Sequence, residues 1–292
     1  MLGKPATFNQ QRAAIVRSWL WLVAVGFQLA AAAADSPWER VVVIGASASA
    51  GFVLAEPLGG TETTRCKLNY YLDAGIAAPH PPVKNLATAL FFMNPDALGP
   101  LQVDAATNAR PTLVIGVDFL FWYCYGDGRG DEARARRFEQ GLKLLEKISG
   151  PLVVGDIPDA SFATNTGIIG SAQVPSETAR RAANRRLTEW AAAHPQVVVV
   201  PLAKFMRDTM ANAVVQFHGQ TVPAGKTHAL LQNDQLHPNP HGAAVLTLGI
   251  LDALVTRQPG FPAADIRWNP EEIFSAGYKS ASAPGKPAPA RE

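Results

Sequence analysis

The chain has 292 residues, 48% of them hydrophobic and 17% charged, enough to bury a full core in one α/β domain with appendages. A net charge of +2 selects no charged partner. Arg134, Arg136 and Arg137, like Arg180, Arg181, Arg185 and Arg186, fall in helix-like segments without interleaved aromatics, which reads as solvated helix faces and argues against nucleic acid as a partner.

At the N-terminus, Lys4, Arg12 and Arg17 precede an apolar stretch from Trp19 to Leu29, and Ala30 to Ala34 supply the small residues that a signal peptidase accepts. Residues 1–34 are therefore read as a signal peptide cut after Ala34, which makes the mature protein secreted or periplasmic. The competing reading is an uncleaved anchor, for which Trp19 to Ala34 falls short of the roughly 20 residues a spanning helix needs. No stable membrane insertion is expected after cleavage. Residues 35–275 are assigned to the folded domain and 276–292 to a disordered tail, because the sequence from Lys279 onward is poor in large apolar residues.

The first strand is expected at the start of Val41 to Phe52, V-V-V-I-G-A-S-A-S-A-G-F, where an apolar run reaches Gly45 and a turn carrying Ser47. A short helix is expected over Ala50 to Leu58 and another helical piece within Thr61 to Ala74. Val83 to Leu86 is the second candidate strand, Pro111 to Asp118 the third, Pro151 to Gly155 the fourth and Val197 to Val200 the fifth. Helices are predicted from Asp131 to Lys147, where Phe138, Leu142 and Leu145 share one face, from Ser176 to Ala193, from Lys204 to Val215, and from about Pro240 to Thr256. Gly219 to Asn233 reads as loop. Strands separated by helical crossovers imply a parallel sheet covered on both faces. The expected fold is a three-layer α/β/α sandwich around a mainly parallel five-stranded sheet.

Chemistry in such sheets gathers at the C-terminal ends of the strands, where Ser47 stands. Near the other end of the chain, N-D-Q-L-H-P-N-P-H-G places Asp234 three residues before His237. That spacing can aim a carboxylate at one ring nitrogen while the other faces a serine hydroxyl. Asp234, His237 and His241 are a poor metal set, because Pro238 and Pro240 interrupt the helix that would align the two histidines. No metal or cofactor is expected.

G-A-S-A-S-A-G after a buried strand, together with D-Q-L-H-P-N far downstream, resembles the SGNH (GDSL-type) hydrolases, whose first block is G-D-S-x-x-x-G and whose last is D-x-x-H. The resemblance implies a flavodoxin-like fold and ester hydrolysis through an acyl-enzyme without metal. It makes Ser47 the nucleophile, His237 the base and Asp234 its orienter. It also implies an oxyanion hole built from the Ser47 amide, an amide of the second block, here Ala87 in N-L-A-T-A, and a third-block asparagine, whose place in G-V-D-F is taken by Asp118. Ala46 stands where the family has aspartate. An ionised Asp118 facing the oxyanion would repel it and leave a slow enzyme or a non-catalytic binding module. If Asp118 turns away, Asn85 or a loop amide is left to complete the hole.

The substrate expected is a small-molecule or carbohydrate ester, and the sequence sets neither acyl length nor oligomeric state. Phe119, Phe121, Trp122, Tyr123 and Tyr125 could line an acyl or sugar subsite, or form a core patch. In an oxidising compartment Cys66 and Cys124 could form a disulfide, or remain two separate buried thiols.

Overall fold

The computed structural model describes residues 36–126 and 130–283. The proposed signal peptide, residues 1–34, lies outside the described residues. The central sheet follows from four short apolar runs: β1 (Val41–Val43), β3 (Leu113–Gly116), β4 (Leu152–Gly155) and β5 (Val197–Val200). Its edge is β2 (Lys84–Asn85). The order is β2-β1-β3-β4-β5, with every pairing parallel. This is the flavodoxin-like winding, in which the chain switches direction between β1 and β3.

Alternation along the strands divides the core between the two faces. Val42, Val114, Leu152 and Val154 face one layer, made by Val103 and Ala106 of α4 (Pro95–Asn108), the aromatic α5 (Phe121–Cys124), Phe138 and Leu142 of α6 (Asp131–Leu145), and Leu187 and Trp190 of α7 (Glu177–Ala192). Val41, Val43, Ile115, Val153 and Val198 face the other, against Leu68 and Leu72 of α3 (Leu68–Gly75) and Leu246, Ile250 and Leu254 of α9 (Pro240–Arg257). The three-layer α/β/α expectation holds.

Several boundaries differ from the sequence expectations. The helix after β1 is α1 (Ser47–Ala50), and residues 51–58 form turns instead of a helix. Thr61–Arg65 is α2, separate from α3. α4 was not expected, because Pro100 sits inside it and removes an amide; the helix holds because Pro95 occupies the first turn and the Asn94 side chain accepts from the Ala97 amide. After α8 (Leu202–Met210), β6 (Val215–Phe217) and β7 (Gln220–Val222) form a hairpin where loop was expected. Its two-residue turn, His218 and Gly219, has positive φ at both positions. The tail boundary at 276 is also corrected, since α10 (Pro270–Ser282) runs through it and buries Gly277 and Ala281. Small residues there let the helix lie against Tyr71 of α3, so poverty in large side chains did not mean disorder. Residues 284–292 lie outside the described residues.

Candidate active site

The C-terminal ends of β1 and β3 carry the two residues around which the site is built. Gly45 follows β1 with φ +138°, and a Cβ there would stand 2.1 Å from Asp118 Oδ1, so only glycine lets the turn close on the loop after β3. Gln102 of α4 clamps the same residue: its Oε1 accepts from the Gly45 amide (2.7 Å) and its Nε2 donates to the Gly45 carbonyl (2.9 Å). Ser47 then opens α1 at the sheet's switch point.

His237 arrives from the loop before α9. Gln235 takes a left-handed conformation (φ +57°), which folds the chain back so that Asp234 Oδ1 accepts from the amides of Leu236 (3.0 Å) and His237 (2.9 Å). Asp234 Oδ2 pairs with His237 Nδ1 at 2.7 Å, and His237 Nε2 lies 2.7 Å from Ser47 Oγ. With the Asp234 carboxylate as acceptor, Nδ1 carries the proton and Nε2 is left to accept from the serine hydroxyl. Burial alone would push Asp234 up, but its hydrogen bonds from the His237 ring and from the amides of His237 and Leu236 hold it below the ordinary carboxylate value. The three residues singled out in the sequence meet in the order that nucleophile, base and orienter require.

Gln232 joins the two loops. Its Nε2 donates to the carbonyls of Phe52 (2.7 Å) and Pro238 (3.0 Å), and the Phe52 ring packs on His237 with centroids 4.5 Å apart. Neither Gln102 nor Gln232 belongs to a motif, and no sequence signal marked them.

Asp118 is not where the resemblance put it. Its Oδ1 accepts from the Ala46 amide (3.0 Å) and the Ser49 hydroxyl (2.6 Å), and its Oδ2 from the amides of Ala48 (2.9 Å) and Ser49 (3.1 Å). Burial pushes this carboxyl up, against the opposing pull of those four donors. The side chain faces the underside of the serine turn, so it is no oxyanion donor. Ala87 is corrected as well: its amide donates to Asn85 Oδ1 (3.0 Å), while Asn85 Nδ2 is taken by the Ser49 carbonyl (2.9 Å) and Asn69 Oδ1 (3.0 Å). Of the turn amides from Ala46 to Ser49, only that of Ser47 donates to no acceptor among the described residues. The same is true of the Ala89 amide; Ala89 opens a 3₁₀ turn (Ala89–Met93) and is among the residues that line a depression shared with Ser47.

Two apolar depressions meet at Ser47, Trp122, Leu236 and His237. One reaches inward to the buried Ile157, Met206 and Leu246. The other runs outward past Phe52, Leu90 and Phe92. Of the aromatic run after β3, Phe121 and Trp122 line the inner depression, while Phe119, Tyr123 and Tyr125 are fully buried core.

The proposed disulfide is corrected: Cys66 and Cys124 are both free and buried. Cys124 is packed in the layer of α5 and α6, whereas Cys66 closes α2 beside Gln232. Burial raises both thiols, to about 11 at Cys66 and about 12 at Cys124. The remaining candidate ligand His241 stacks on Phe274, with centroids 3.5 Å apart.

No family model matches the chain, and no curated protein does. Solved structures similar to it include a lipase/acylhydrolase from Enterococcus faecalis, at 18% identity and a TM-score of 0.46, covering 79% of this chain and 98% of that one. A Bacteroides fragilis protein provisionally described as an acylhydrolase is similar at 15% identity and a TM-score of 0.44, covering 87% of this chain and 99% of that one.

Proposed function

We propose that the protein is an exported serine hydrolase that cleaves carboxylic esters through an acyl-enzyme on Ser47. The observation that carries this reading is the continuous hydrogen-bonded line from Ser47 Oγ through the His237 ring to Asp234, with 2.7 Å at each step. In the reaction, Ser47 Oγ attacks the ester carbonyl carbon as its proton passes to His237 Nε2. Asp234 stays ionised and stabilises the imidazolium. As the tetrahedral intermediate collapses, His237 returns that proton to the leaving alcohol. Water then attacks the acyl carbonyl carbon as its proton passes to the same nitrogen, and the second tetrahedral intermediate releases the acid as His237 returns that proton to Ser47 Oγ.

The oxyanion is assigned to the amides of Ser47 and Ala89, neither of which donates to an acceptor among the described residues. Asp118 holds the turn that presents the first of them. The slow or non-catalytic alternative depended on a carboxylate aimed at the oxyanion, and that carboxylate is spent on the turn.

Export is carried by the residues already named, from Lys4 to Ala34. Intact-mass measurement of extracellular or periplasmic material tests it, with a mature N-terminus at Asp35 expected and retention of residues 1–34 contradicting it. For the chemistry, a fluorophosphonate probe should modify Ser47 and no other residue, and Ser47→Ala should abolish both labelling and ester turnover. Full turnover in that variant would overturn the assignment.

A further inference from the structure

We infer that the substrate is an ester of an apolar alcohol, carrying hydrocarbon on both sides of the carbonyl. This rests on the hydrolase reading of Ser47. A carbonyl seated at Ser47 Oγ has one substituent for each of the two depressions that meet there, the acyl chain assigned to the inner one and the departing alcohol to the outer one. The inner one includes the buried Met206 and Leu246, and of the two carboxylates in its lining Asp118 is held by the serine turn and Asp156 Oδ1 accepts from the Ala203 amide (2.6 Å). The outer one has a rim that is apolar and left in water: Leu58 is 86% exposed, Phe92 46% and Leu90 41%.

Single exposed apolar side chains need no explanation, but three lining one groove that leads to a reactive serine do. An alkyl chain lying in that groove removes them from water together with its own surface. A sugar or glycerol gains little there. Apart from Ser47 and His237, the side-chain polar groups among the described lining residues are Gln173, whose Oε1 already accepts from the Gly170 amide (2.8 Å), and the Trp122 indole N–H. Hydroxyls moved into such a groove would exchange water for almost no partner. The carbohydrate-ester option is therefore the weaker fit.

The test separates binding from turnover. In Ser47→Ala, Kd is measured by calorimetry for hexanoyl esters whose alcohol is methyl, butyl, octyl or glycerol. Affinity should rise roughly fourfold per methylene of the alcohol until the groove is filled. Glycerol should bind at least tenfold more weakly than butyl, and Phe92→Asp or Leu58→Asp should flatten the length dependence. A Kd indifferent to alcohol length, or a glycerol ester as tight as the butyl ester, overturns the proposal. Ser47 labelled by fluorophosphonate together with a flat series removes the groove and keeps the hydrolase. An unlabelled Ser47 removes the hydrolase, and the binding series still decides the groove.

Discussion

Asp118 shows how one side chain can set a reactive turn without touching substrate. Three of its four donors are amides that can only donate, so the site is complementary to a carboxylate at both oxygens. Asp118→Asn puts an NH2 group against at least one amide donor, which strands the pair at a cost of about 1–3 kcal/mol. The expected outcome is a lower melting temperature, a kcat reduced tenfold or more with little change in KM, and slower fluorophosphonate labelling. A gain in kcat would mean that Asp118 faces the oxyanion after all. Sequence position alone could not tell these apart, since it fixes which strand end a residue occupies but not where its side chain points. The triad was legible because its spacing is local to two short stretches, whereas Ala87 failed as a donor through its bond to Asn85, a contact no spacing reveals.

Asp234 carries the pH dependence of stability at the same scale. Its folded value is held below the ordinary one, so its contribution is complete above the unfolded value near 3.9 and is lost as pH falls through the lower folded value. Denaturant midpoints should therefore drop more steeply below about pH 4 in wild type than in Asp234→Asn. Equal slopes would contradict the assigned hydrogen bonds. The same variant should lose on the order of 10⁴-fold in kcat, because an amide no longer fixes the His237 tautomer.

At the scale of elements, the turn after β1 depends on Gly45. Gly45→Ala drives a methyl into Asp118 Oδ1 at an unfavourable φ, so it should cost more stability than a typical surface change and lower kcat together with it. Wild-type stability in this variant would show that the turn is held elsewhere. The apolar strands and the one-faced helices α6 and α7 could be read from sequence because buried runs and 3.6-residue faces are strong local patterns, whereas α9, buried continuously from Gly242 to Leu251, was legible as a long apolar run opened by Pro240. Pro100 hid α4, and small residues hid α10. Truncation after Ser275 removes the buried Gly277 and Ala281 and should lower the melting temperature by several degrees, which a disordered tail would not do.

For the molecule as a whole, the β1/β3 switch point explains why the serine turn and the Asp118 loop emerge side by side, while α9 brings the histidine loop from nearly 200 residues away to meet them. The two thiols contribute no covalent link between these layers. Denatured, unreduced protein should titrate two thiols, and the folded protein should react slowly at neutral pH because both thiols are buried with raised pKa. An absence of thiols after denaturation would establish a bridge instead.

The most direct measurement is the site of fluorophosphonate modification in the intact chain, read by peptide mass spectrometry beside Ser47→Ala and His237→Ala. Stoichiometric adduct on Ser47 in wild type, with none in either variant, is the predicted result. An adduct on a different serine, or wild-type protein that remains unmodified while hydrolysing esters, would contradict Ser47 as the nucleophile.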